Sequence, residues 1–230
     1  MSGITRLEPL DAALPGTGVP GSPHERSAMT IRRAVPDDGP RLRAMHRASL
    51  RRLGAGSYSP ALIDRFLAEV GTLDDALLAE GTCLVIESDG AIAASGAWTL
   101  GAQALDRARP PAAGPVSSLP RAAIRSVFTD PHFVRRGLAS TIMRLCEAEA
   151  AKGDRVADFE LYATLSGLPL YRRFGYRAVA PVAISLSDGN RFDAVFMTKR
   201  VGKSIGAASA ACRGSAPTTH PVPFIEGTRT

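Results

Sequence analysis

Hydrophobic positions change their period along the chain, and each change marks an element. "MTIRRAV" (29–35) reads as a first strand ended by Pro36. Asp37 and Asp38 are placed to cap a following helix whose inner face would hold Leu42, Met45 and Leu53. In "SYSPALIDRFLAEV", Ser59 is the expected N-cap and Pro60 the first helical residue. Leu62, Phe66 and Val70 then share one stripe, flanked by Ile63 and Leu67. "TCLVIESDGAIAASGAWTL" reads as a β-hairpin turning at Asp89-Gly90. "AAIRSVFT" is a central strand, and the helix after it should end near Gly153 with Leu138, Ile142 and Leu145 inward and Ser140, Arg144 and Glu147 in water. "RVADFELYAT" alternates Phe159 and Leu161 against Asp158, Glu160 and Tyr162, as a strand does. "SGLPLYRRFG" is a short helix stopped by Gly175, and two last strands flank a turn at Asp188-Gly189.

The predicted order is strand, two helices, three strands, helix, strand, helix, two strands. Such a mixture implies an α/β (α+β) sandwich of helices around a mixed sheet. Residues 1–28 and 202–230 are rich in small and turn-forming residues, lack periodicity and read as disordered extensions. One folded domain over 29–201 is expected between them. The stretch "GAQALDRARPPAAGPVSSLPR" (101–121) is too long for an ordinary connection, and either borders the site or is disordered.

Composition narrows the class. With 45% hydrophobic and 22% charged residues, the chain is globular in type, and no apolar run is long enough to cross a bilayer. The N-terminus lacks the basic start and apolar centre of a secretory signal, so a cytoplasmic location without a membrane partner is the default expectation. A formal net charge of +6 raises the question of nucleic acid. Yet 25 of the 28 basic residues are Arg scattered along the whole chain, with no recognition motif, so no specific nucleic-acid partner is expected. Cys83, Cys146 and Cys212 have no paired spacing, which argues against disulfides and a zinc site; no metal is expected.

The chemistry lies in "VFTDPHFVRRGLAS" (127–140). A strand ends, two arginines and a glycine follow, and a helix opens. Helix N-termini present N–H groups without intrahelical partners together with a partial positive charge, and they bind phosphates. Gly137 admits a ligand close to the backbone, and Arg135 and Arg136 add charge. The junction has neither the Walker spacing nor the Gly-x-Gly-x-x-Gly fingerprint.

In order, "VFTDPHFVRRGLAS" and "ATLSGLPLYRRFGY" (163–176) resemble the GNAT superfamily of acyl-CoA-dependent N-acyltransferases. That family's strand ends Val-x-Pro, its helix opens with Gln/Arg-x-x-Gly-x-Gly/Ala, and a Tyr precedes a later Gly-Phe/Tyr. Pro131, Gly137, Ala139, Tyr171 and Gly175-Tyr176 fit; Thr129 replaces the Val, Val134 the Gln/Arg, and Thr164 stands where many members carry Asn. The resemblance implies a mixed, mostly antiparallel sheet flanked by helices, and acetyl-CoA as co-substrate. It implies main-chain contacts to pantetheine from Val127, Phe128 and Thr129. Residues 135 to 140 (Arg135, Arg136, Gly137, Leu138, Ala139 and Ser140) would then grip the pyrophosphate, with Thr164 nearby. A backbone N–H near Thr129 would serve the oxyanion, Tyr171 would be the acid toward the leaving thiolate, and Glu160 is the first candidate base. His132, Trp98 and Tyr162 are weighed as loop or core residues first. The expected reaction is acetyl transfer to a primary amine of a small molecule or peptide. The competing reading is a non-catalytic acyl-CoA-binding or regulatory module. Assembly stays open, a homodimer being the form the family often takes.

Overall fold

A computed structural model describes residues 29–100, 121–152, 156 and 158–200. The expected terminal extensions, Cys212, nearly all of the 101–121 stretch and the predicted helix end at Gly153 lie outside these residues. Among these residues, seven strands and five helices run in the order β1 (Met29–Arg33), α1 (Gly39–Leu53), α2 (Pro60–Glu69), α3 (Asp75–Ala79), β2 (Cys83–Ser88), β3 (Ala91–Leu100), β4 (Arg121–Thr129), α4 (Leu138–Ala150), β5 (Asp158–Thr164), α5 (Leu168–Arg173), β6 (Arg177–Ser185) and β7 (Arg191–Arg200). The order matches the sequence reading except for α3, whose single turn and a half is too short to show a helical period.

All strands join one sheet in the order β1-β2-β3-β4-β5-β7-β6, and only β4 and β5 pair in parallel. The β2–β3 turn uses Asp89 at φ 49° and Gly90 at φ 76°, as a two-residue hairpin demands. Helices α4 and α5 cover one face, where Leu138, Ile142, Met143 and Cys146 bury against Ile124, Phe159 and Leu161. Helices α1 to α3 cover the other, with Leu42, Met45 and Leu77 on Val85 and Ile92, and with Tyr58, Ile63 and Phe66 around Phe192. The side chain of Gly96 is absent for a reason. A Cβ there would stand 2.1 Å from Ile142 Cγ2, so glycine lets α4 press against β3.

Several expectations need correction. Asp38 does not cap α1 through its side chain. Its buried carboxylate accepts from Arg32 Nη1 at 2.6 Å and Nη2 at 2.9 Å and from the Val35 N–H at 2.9 Å, because a paired, charged guanidinium outcompetes a helix amide. Leu53 and Val70 are 42% and 44% exposed rather than core, each at a helix end on the lip of a cavity. On α4, Met143 and Cys146 are buried and Leu145 is only half-buried. Glu147, expected in water, is half-buried and accepts from Lys199 Nζ at 2.6 Å. Ser59 does cap α2, accepting from the Leu62 N–H at 3.3 Å.

Candidate functional site

β4 and β5 separate. Their parallel register runs through Arg121↔Asp158 and Ala122↔Phe159 and ends at Ala123↔Glu160. Beyond it β4 stays with β3 as far as Thr129, while β5 continues with β7 to Thr164. Residues 124–129 therefore have a sheet partner on one side only. Such an edge inside a sheet offers its free N–H and C=O groups to a ligand that lies along it. The Asp130 N–H donates to Ala93 O at 2.9 Å across β3. By the alternation of an antiparallel ladder, the Thr129 N–H points the other way, into the gap.

A bulge shapes the same strand. Ser126 has φ 52°, and one extra residue of β4 lies opposite Gly96 between the Ser95↔Phe128 and Ala97↔Arg125 pairs. Four side chains hold it. Ser126 Oγ donates to Thr72 O at 2.7 Å, and Ser95 Oγ donates to Ser126 O at 3.0 Å. Ser95 is thereby left to accept from His46 Nε2 at 2.7 Å, so Nδ1 of the neutral ring accepts from Thr72 Oγ1 at 3.1 Å. His46 is fully buried and stacks on Phe128 with centroids 4.2 Å apart. Burial, reinforced by the charge of Arg43, lowers its pKa to about 3.

On the α1–α3 face the gap opens into a cavity of about 740 Å³, in the range of small-molecule sites. Val127, Phe128, Glu160, Thr164 and Tyr171, all expected site residues, line it. So does Tyr162, whereas Trp98 packs on the opposite, α4 side. Glu160 is 8% exposed with Oε2 3.7 Å from Arg121 Nη1, at the point where the strands part. Tyr171 is 9% exposed, and its ring uses the space left by Gly167, where a Cβ would be 2.9 Å from Tyr171 Cε2. Burial pushes its phenol well above the ordinary value of 10, with Cys146 adding to the shift.

One residue further along β4, Thr129 belongs to a second recess of about 490 Å³ at the start of α4. Arg135, Gly137, Leu138, Ala139 and Ser140 line it, again as expected, and Arg173 of α5 joins them. Among the described residues, two arginines and no carboxylate border this recess. Gly137 sits at φ 78°, and among the described residues nothing lies within 4 Å of the place its Cβ would take. The N–H groups of the first α4 turn have no acceptor within the helix, and no acid stands in that turn. Arg136 differs from expectation, since its guanidinium lies 5.1 Å over the Phe133 ring and does not line the recess. His132 is 88% exposed at its side chain and bonds Asp130 at 2.9 Å, the ordinary state of a loop histidine.

His46, Thr72, Ser126 and Arg173 were not assigned from the sequence. For His46 a signal exists: it falls with Leu42, Met45 and Ser49 on one helical stripe, a polar residue among core positions. The place of Thr72 and the φ of Ser126 come from long-range packing. Among the described residues, no three His, Cys, Asp or Glu side chains converge as metal ligands, and no helix is long and apolar enough to cross a membrane.

Comparison with known proteins agrees with this geometry. The model of the acetyltransferase (GNAT) domain matches residues 79–178, a span that holds β4, the recess and α5. No curated protein matches the sequence significantly. Among solved structures, a GCN5-related N-acetyltransferase from Rhodopseudomonas palustris superposes with a TM-score of 0.57 at 18% identity, over 78% of this chain and 100% of that one. A GNAT-family acetyltransferase from Streptococcus agalactiae gives 0.55 at 19% identity, over 76% and 96%. The PaiA N-acetyltransferase of Thermoplasma acidophilum, solved in complex with coenzyme A, gives 0.52 at 16% identity, over 76% and 99%. At these identities the likeness speaks for the fold. The parted strands and most of the arginine-lined recess thus fall in residues 79–178, the part of the chain that matches the acetyltransferase (GNAT) domain model, on a fold shared with solved acetyltransferases.

Proposed function

We propose that this chain is an acetyl-CoA-dependent N-acetyltransferase that passes the acetyl group directly to a primary amine. The observation that carries the reading is the parting of β4 from β5 after Ala123 and Glu160. It leaves an open strand edge running from the large cavity to the cationic recess, with Phe128 lining one and its neighbour Thr129 the other.

The residues suit coenzyme A. Its diphosphate needs donors and positive charge, and the recess offers first-turn amides, Arg135 and Arg173, with no opposing acid among the described residues. The αL glycine keeps bulk away from those amides. Thr129 Oγ1 is buried and has no partner among the described residues, so a hydroxyl is free for the ligand. Val127, Phe128 and Thr129 would align the pantetheine arm through main-chain groups, and Thr164 faces it from β5.

Acetyl-CoA supplies an activated thioester, and the protein's part is to position, polarise and move protons. The Thr129 N–H, aimed into the gap, is a preset donor for negative charge on the carbonyl oxygen. Glu160 stands where the two strands part and takes the proton from the attacking amine, directly or through water. Tyr171 is the candidate acid toward the leaving thiolate, but burial raises the pKa of its phenol. Full donation to a thiolate, whose ordinary pKa is about 8.5, would run uphill. Tyr171 therefore acts as a permanent hydrogen-bond donor to the leaving sulfur.

The test is turnover itself. Purified protein with acetyl-CoA and a panel of amines should release CoA thiol and yield an acetylated amine detectable by mass. Tight acetyl-CoA binding with no turnover on any amine would instead favour a regulatory module.

A further inference from the structure

The charges lining the large cavity are not balanced, and the imbalance points to the acceptor. Four carboxylates border it, and each is already engaged. Glu69 accepts from Ser187 N at 2.8 Å and from Ser187 Oγ at 2.6 Å. Asp74 accepts from the Ala76 N–H at 3.0 Å as the cap of α3. Asp75 pairs with Arg43, and Glu160 stands 3.7 Å from Arg121. Among the described residues, Arg125 is the one cation in the lining, and its guanidinium has no ion pair and no hydrogen bond.

Its position is informative. Ile124 is buried in the core on the α4 side, so Arg125 faces the opposite, acceptor side. It lies two residues beyond Ala123, the last residue of β4 that pairs with β5, and directly before the bulge. It is half-buried. The phosphate recess begins at Thr129, four strand residues or roughly 13 Å further along, out of reach for a diphosphate held there. Around Arg125 the lining is apolar, with Phe66, Phe128, Phe192 and Ile184. A half-buried guanidinium without a counter-ion beside such surface is costly unless a ligand supplies the anion.

Resting on the acetyltransferase reading, we propose that Arg125 recognises a carboxylate on the acceptor, and that the acceptor is an amino acid with an apolar side chain. The planar fork of Arg suits a carboxylate through paired hydrogen bonds. The apolar side chain of the acceptor would lie on the aromatic lining, and its amine would point toward the parted strands. The positive charge of Arg125 also favours the neutral, nucleophilic form of that amine. In the transfer, an N–C bond forms to the acetyl carbon as the C–S bond breaks. The amine gives up one proton and the sulfur gains one, leaving an N-acetylamino acid and CoA thiol.

The experiment compares phenylalanine and leucine with phenylalaninamide, phenylethylamine and the aminophosphonate analogue of phenylalanine, for the wild type, Arg125→Met and Arg125→Lys. Thiol release and product mass give kcat/KM, calorimetry gives acetyl-CoA affinity, and a thermal melt confirms folding. The wild type should prefer phenylalanine over its amide by about 10- to 100-fold, the worth of hydrogen bonds to a charged group. Arg125→Met should erase that preference, Arg125→Lys should retain part of it, and acetyl-CoA affinity should not change. Equal use of the amide or the amine, preference for the phosphonate, or a preference surviving in Arg125→Met would overturn the proposal. So would intact acetyl-CoA binding with no acetylation of either amino acid. A wild type that binds no acetyl-CoA removes the acetyltransferase reading itself, and this proposal with it.

Discussion

His46 Nε2 lies 2.7 Å from Ser95 Oγ, and Ser95 in turn donates to the carbonyl of Ser126, the residue of β4 held at positive φ. A helix on one face of the sheet is thus wired to the kink in the strand that borders the cavity. Thr72 completes the connection, bonding the ring of His46 and accepting from Ser126. The bulge is held in place before any ligand arrives.

Acid should loosen this connection. The pKa of His46 is lowered from 6.5 to about 3 by burial, so the unfolded chain takes up a proton below pH 6.5 that the folded chain refuses until about pH 3. The contribution of His46 is complete above pH 6.5 and is lost as pH falls toward 3, at roughly 1.4 kcal/mol per pH unit. Denaturant unfolding of wild type and His46→Gln between pH 7 and 4 checks it. The wild type should lose stability more steeply with acid, and parallel slopes would remove His46 from the account. At pH 7 the variant should be less stable by about 1–3 kcal/mol, because it abandons a buried network.

The close approach of α4 to β3 is equally testable. Gly96→Ala places a methyl 2.1 Å from Ile142 Cγ2 and 3.1 Å from Cys146 Sγ. The expected cost is about 1–3 kcal/mol of overpacking. Pairing it with Ile142→Ala should recover part of that loss, and additive losses would show that the two sites do not touch.

Tyr171→Phe should lower kcat by about 10- to 100-fold while leaving acetyl-CoA affinity unchanged, since a hydrogen bond to a charged sulfur is lost but the ring's packing is kept. Because burial raises the phenol's pKa above 10, the wild-type kcat should show no alkaline break from Tyr171 below pH 10. A wild-type break near pH 9 that vanishes in the variant would reverse the role assigned here.

Gly137→Val tests the recess. At φ 78° a β-branched residue is strained, at about 1–2 kcal/mol. Among the described residues no atom lies within 4 Å of its Cβ, which leaves room for the change there. Acetyl-CoA affinity should fall by at least about tenfold while the thermal transition stays cooperative. Undiminished affinity by calorimetry would place the phosphates elsewhere.

Much of this was legible in local sequence. Asp89-Gly90, Ser59-Pro60 and Gly175 punctuate the chain through turn and cap chemistry that needs only neighbouring residues. The 135–140 loop announced itself through Arg135, Gly137 and the small Ala139 at a strand–helix junction. Arg136 did not, because sequence adjacency cannot distinguish a guanidinium facing a recess from one resting on Phe133. Asp38 was misassigned for a similar reason: its true partner Arg32 lies on the preceding strand. Leu53 and Val70 fit helical stripes but sit at helix ends where the covering layer stops. The network around Ser126 joins positions 46, 72, 95 and 126, and Arg125 stands out only once every carboxylate around it is seen to have a partner. Such features exist only after folding brings distant residues together.

The most direct measurement is residue-resolved amide hydrogen exchange with and without coenzyme A. The account predicts slowed exchange at Leu138, Ala139 and Ser140 and at the gap-facing amide of Thr129, with little change on β1 and β6. Coenzyme A binding that leaves those amides unprotected, or no binding at all, would contradict the claim that the parted strand and the α4 N-terminus form one continuous coenzyme site.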